Sequence, residues 1–104
     1  MAVVILASFF MLPACDRGNS IVGTWVNGYG TMSFYKDGSC RLDGRWPNNI
    51  CLHNEAEAYQ AARNGTLILY TAGGDAFSPS VNYERNGNRL DIKRGDEVIS
   101  FTRR

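Results

Sequence analysis

The residues of this 104-residue chain best equipped for chemistry are three cysteines (Cys15, Cys40 and Cys51), the single histidine His53, and the nearby carboxylates Glu55 and Glu57. Their spacing limits what they can do. Cys40, Cys51 and His53 supply too few ligands for a structural zinc, which usually takes four from the protein. Glu55 and Glu57 stand two apart, so they do not share a helical face as an acid–base pair would. His53 has no Ser, Cys or carboxylate at a motif spacing and reads as a surface or capping residue. Gly28-Tyr29-Gly30 and Gly73-Gly74 lack the Lys and Ser/Thr of a phosphate loop and the dinucleotide fingerprint, so both read as turns. Asn64-Gly65-Thr66 has the form of a glycosylation acceptor and reads as a turn between elements. The expectation is a protein that is not an enzyme and carries no cofactor or metal. The enzymatic alternative is a small hydrolase, which requires His53 within about 3.2 Å of an Asp, Glu or Ser in a pocket.

Cys15 ends an uncharged apolar run from Ala2 through Leu12, followed by Pro13 and Ala14. Every Lys, Arg, Asp and Glu of the chain lies after it. The run is shorter than the roughly 20 apolar residues that span a bilayer, and it suits the apolar centre of a signal peptide. A leader stopping at a small residue and a cysteine resembles the signal peptide and lipobox of bacterial lipoproteins. That resemblance implies loss of residues 1–14 and acylation of Cys15, with residues 15–20 as a polar tether. It also implies anchorage in the bacterial cell envelope, with the domain in the periplasm. Asp16 after the lipidated cysteine resembles the enterobacterial signal for inner-membrane retention. The alternative is a buried N-terminal strand or helix with an incidental cysteine. Export in turn implies an oxidising compartment, where Cys40 and Cys51 are expected to form a disulfide; the alternative is two free buried thiols.

The remaining residues form one domain, 21–104, by length. The net charge of +1 gives no electrostatic case for nucleic acid or for an acidic membrane surface. Short alternating segments are separated by Gly, Asn and Asp. Met32 and Phe34 share a face, Asp37-Gly38 marks a hairpin, and Cys40 and Leu42 face inward on the returning strand. Residues 81–85, 89–93 and 97–102 are joined by turns at Asn86-Gly87 and Arg94-Gly95. Alternation places Val81, Tyr83, Leu90, Ile92, Ile99 and Phe101 on one inner face. Turns this short require antiparallel neighbours. Thr66–Thr71 is a further, more apolar strand. Asn54–Arg63 has helix-forming composition, with Asn54 as N-cap, Glu57 completing a capping box and Gly65 past the C-terminus. This predicts a short helix; the alternative is an irregular loop. The expected fold is all-β and mainly antiparallel: a small up-and-down barrel or strongly curved meander with one short helix.

Gly23-Thr24-Trp25 near the start of the domain and Arg103-Arg104 at its end resemble the Gly-x-Trp and late Arg of lipocalin-like barrels. Met32-x-Phe34-x-x-Asp37-Gly38 and Tyr83 through Leu90 look like hairpins of small bacterial lipocalin-like lipoproteins. The resemblance implies that Trp25 closes one end of the barrel, that Gly23 permits close approach, and that Arg103 or Arg104 packs across the indole. In so short a chain the interior is expected to be filled by side chains. Trp46, Tyr59, Phe77 and Tyr29 line a ligand mouth or partner patch, or else cap the barrel ends. The expected function is binding of a protein partner or a small apolar ligand in the envelope. The alternative is a non-binding structural or stress-related envelope lipoprotein.

Overall fold

The computed structural model describes residues 20–104; the leader, Cys15 and the start of the tether lie outside them. Eight strands follow in order: β1 (Gly23–Val26), β2 (Gly30–Phe34), β3 (Cys40–Gly44), β4 (Ala58–Ala61), β5 (Thr66–Tyr70), β6 (Val81–Asn86), β7 (Arg89–Arg94) and β8 (Glu97–Arg103). One 3-10 turn, Asn48–Ile50, lies between β3 and β4. All ladders are antiparallel, in the order β3-β2-β1-β8-β7-β6-β5-β4. Each strand therefore pairs with its sequence neighbour except at β3–β4, and β8 returns to β1. The result is an all-β, nearly closed up-and-down barrel, an architecture compatible with a calycin-like fold.

Period-2 alternation explains the ladders. On β2, β3, β6 and β8 the residues at Met32, Phe34, Cys40, Leu42, Val81, Tyr83, Ile99 and Phe101 are buried between exposed or half-exposed neighbours. The hairpins turn at Gly38, Gly87 and Gly95, all at positive φ, where a side chain would be strained. Trp25, Phe34, Phe101, Met32, Ile50 and Ile92 are almost wholly buried and fill the barrel. Eight strands enclose an interior just wide enough for such side chains.

The two ends are closed differently. At the β1 end, Trp25 and Ile21 are both buried, and the indole N–H donates to the Ile21 carbonyl. At the opposite end the β3–β4 connection crosses the opening. Its 3-10 turn rests against β7 and β8, burying Ile50, with Leu52 and Ala56 following. Trp46 packs on Phe101 with ring centroids 5.7 Å apart.

Two sequence expectations are corrected. Residues 54–63 are not a helix: the chain turns at Asn54-Glu55 and then forms β4, where Tyr59 pairs with Leu69 and Gln60 with Ile68. Helix preference is worth only tenths of a kcal/mol per residue, and pairing to the otherwise open edge of β5 outweighs it. Cys40 and Cys51 are free thiols, not a disulfide. Cys40 faces inward at the start of β3, opposite Phe34. Cys51 follows the 3-10 turn at φ 60° and is half-buried, beside Leu67, Leu69, Phe77 and Val81. The backbone thus delivers the two side chains to different surroundings.

Candidate functional site

At the Trp25 end, position 23 favours glycine. Gly23 has φ +135°, and a Cβ there would collide with the guanidinium of Arg103. That guanidinium lies 4.7 Å from the centre of the Trp25 ring and donates to the Val22 carbonyl at 3.2 Å. Indole Nε1 donates to the Ile21 carbonyl at 2.9 Å, which satisfies the one polar atom of a fully buried ring. Arg85 approaches the same ring at 5.6 Å and donates to the Ser20 carbonyl at 2.7 Å and to the Gly87 carbonyl at 2.9 Å. Arg103, not Arg104, is the residue over the indole; Arg104 is exposed and its N–H donates to Thr24. Arg85 escaped the sequence reading because it sits mid-strand, with only its half-buried position on β6 to single it out. The indole and both guanidinium groups donate to backbone carbonyls of this end of the barrel, which is a structural arrangement.

At the opposite end the aromatic residues from irregular stretches have different surroundings. His53 stacks on Phe77 with centroids 4.3 Å apart and planes at 8°. A shallow recess of about 300 Å³ lies beside it, bordered by Trp46, Pro47, Cys51 and Glu55. Tyr29 is 47% exposed in the β1–β2 turn. Tyr59, by contrast, is drawn into the wall: its ring meets Phe34 edge-on at 4.9 Å and its hydroxyl donates to the Tyr35 carbonyl. Burial raises the Tyr59 pKa, with Cys40 and Asp37 adding to the shift. His53 is thus placed by stacking, and no carboxylate or serine hydrogen bond to it is present among the described residues.

The remaining feature is the seam between β3 and β4. These strands touch at one bridge, Ser39–Ala58, reinforced by Cys40 N–H donating to Glu57 at 3.1 Å and Tyr59 N–H to Gly38 at 3.0 Å. Above that point the chain leaves the edge of β3, and a groove of about 510 Å³ opens between Arg41-Leu42-Asp43 and Asn54, Ala56 and Glu57. At its upper limit Asn54 holds the edge by side chain alone. Its amide donates to the Gly44 carbonyl at 2.8 Å, and its carbonyl oxygen accepts from Gly44 N–H at 3.1 Å and Trp46 Nε1 at 2.7 Å. At its lower limit lies the Cys40 thiol. Burial pushes that thiol up to about 11, and the Glu57 carboxylate contributes further. A thiol this reluctant to ionise is a poor nucleophile. No cluster of metal-ligating side chains occurs among the described residues.

The hydrogen-bond parity of β3 fixes which backbone groups face the groove. Tyr35 N–H donates to Ser39, and Arg45 N–H to Tyr29. The odd-numbered residues of β3 therefore bond to β2, and the even-numbered ones point away. The Cys40 N–H and both backbone polar groups of Gly44 are taken as described; Leu42, between them, has its N–H and C=O directed into the groove.

No protein family, curated protein or solved structure matches this chain.

Proposed function

We propose that this protein is a bacterial envelope lipoprotein, anchored through Cys15, whose lipocalin-like barrel acts by binding a protein partner in the periplasm and not by catalysis. The observation that carries the binding part is where space is left. The barrel interior is occupied by Trp25, Phe34, Met32, Ile50 and Phe101, all almost wholly buried, and both ends are closed by packed side chains. A barrel filled in this way has little capacity for an apolar ligand. The groove at β3 opens on the wall, where another protein can reach it.

The anchoring part rests on the leader and Cys15 in the sequence. Intact-mass spectrometry of the natively expressed protein tests it: loss of residues 1–14 together with diacylglycerol and acyl mass is expected. A retained leader, or an unmodified Cys15, refutes the anchor. The binding part is tested by affinity capture from detergent-solubilised envelope, with native mass spectrometry of the product. A reproducible protein partner is expected. Co-purified lipid without a protein points instead to a small-ligand carrier, and recovery of neither refutes both binding modes.

A further inference from the structure

We infer that the open edge of β3 is a strand-addition site for an extended segment of the partner protein, reading basic–small apolar–acidic. This rests on the protein-binding reading above and names the chemistry of what is bound.

The backbone sets the mode. Leu42 presents one free N–H and one free C=O to the groove, with no partner for either among the described residues. An antiparallel strand laid along β3 places one residue directly opposite Leu42 and exchanges both hydrogen bonds with it. The window is short. Glu57 takes the Cys40 N–H below and Asn54 takes both backbone groups of Gly44 above, so the stretch left for an added strand is Arg41-Leu42-Asp43, or about 10 Å.

The side chains set the sequence. Leu42 is inward and buried, as is Ala56 across the groove, so the residue opposite Leu42 turns toward apolar surroundings and must be small and apolar. Arg41 and Asp43 point outward, are exposed, and have no ion pair or hydrogen-bonding side-chain partner among the described residues. In an antiparallel partner the residue facing Asp43 comes first and the residue facing Arg41 last. Opposite charges at directly facing positions are favourable and like charges unfavourable. The fitting segment is therefore Lys or Arg, then Ala or Val, then Asp or Glu.

The test uses the full chain in detergent micelles and the capped peptide acetyl-Lys-Val-Glu-amide. Backbone amide NMR is expected to show saturable shifts at Leu42 and its neighbours. Methylation of the peptide's valine nitrogen removes the donor to the Leu42 carbonyl and is expected to weaken binding about tenfold. Acetyl-Glu-Val-Lys-amide is expected to bind more weakly than the parent peptide, and the exposed-residue variant Arg41→Glu/Asp43→Lys to reverse that order. Absence of shifts at Leu42, or binding indifferent to methylation and charge order, overturns the inference. So does concentration-dependent dimerisation that protects the Leu42 amide, since a second copy then covers the edge. In envelope capture, a partner retained undiminished by Arg41→Glu/Asp43→Lys overturns the edge site while leaving protein binding intact. Failure of the wild-type chain to capture any protein counts against the parent reading, and the peptide result stands apart from it.

Discussion

Gly23→Ala probes the closed end of the barrel most directly, because one methyl group meets two independent obstacles. The first is backbone. At φ +135° an L side chain is strained, which costs about 1–3 kcal/mol when the surroundings enforce the conformation. The second is Arg103, whose guanidinium occupies the place of the new Cβ. Moving it off Trp25 forfeits a cation–π contact and the bond to Val22, together about 1–3 kcal/mol. The expected loss is thus about 2–6 kcal/mol, a large part of the stability of a small domain. Urea unfolding followed by tryptophan fluorescence measures it. Arg103→Ala alone should cost only the second part. In the double variant that part is already gone, so the two losses should fall short of additive by about 1–3 kcal/mol. Strict additivity would show that Arg103 does not respond to position 23, and a Gly23→Ala loss under about 1 kcal/mol would refute both obstacles.

Three further outcomes follow from the wall and the seam. The Cys40 thiol has its pKa raised from the ordinary 9.0 to about 11 by burial and Glu57, so the folded state favours the protonated form. Its contribution is fully present below pH 9 and is lost as pH rises from 9 to 11; pH-dependent unfolding of wild type and Cys40→Ala should diverge in that window. For the same reason, alkylation followed by peptide mapping should modify Cys51, which is only half-buried, before Cys40, and the reverse order would contradict the burial argument. Asn54→Ala removes three hydrogen bonds, to both polar groups of Gly44 and to Trp46 Nε1, and should cost about 1–3 kcal/mol by chemical denaturation.

The hairpins and inner faces were legible because they obey local rules: a turn residue at positive φ and side chains alternating between core and solvent. Met32, Phe34, Leu90, Ile92 and Phe101 needed nothing else. Gly65 and Asn54 show where local rules stop. Gly65 was expected past the end of a helix and has φ +94°, but it turns β4 into β5. Asn54 was expected to cap backbone N–H groups of a helix, and its amide instead holds the edge of β3. Each residue has the conformational or hydrogen-bonding habit its type suggests, in service of a different element. The separation of Cys40 from Cys51 and the presence of Arg85 near Trp25 depend on strand register across the barrel, which a single sequence does not encode locally.

The residues that suggested a helix also explain why the barrel has a seam. Continuing the Ser39–Ala58 bridge in register would bring Glu57 opposite Cys40, Ala56 opposite Arg41, Glu55 opposite Leu42 and Asn54 opposite Asp43. Cys40 and Leu42 face inward, so the extended strand would drive the carboxylates of Glu57 and Glu55 into the apolar interior. Burying an unpaired carboxylate is costly enough to forbid this. The chain shifts phase instead: Ala56 is buried, Glu55 and Glu57 are exposed, and the backbone turns at Asn54-Glu55. Glu55→Val/Glu57→Val removes the obstacle and supplies strand-forming side chains, so β4 is expected to extend and seal the edge. Amide hydrogen exchange reads the change at one position. In the wild type, Leu42 N–H should exchange fast while Arg41 and Asp43, bonded to β2, are protected. In the double variant Leu42 should become protected and acetyl-Lys-Val-Glu-amide should no longer bind. A Leu42 amide already protected in the wild type, or still unprotected in the variant, would refute the charge-driven origin of the groove.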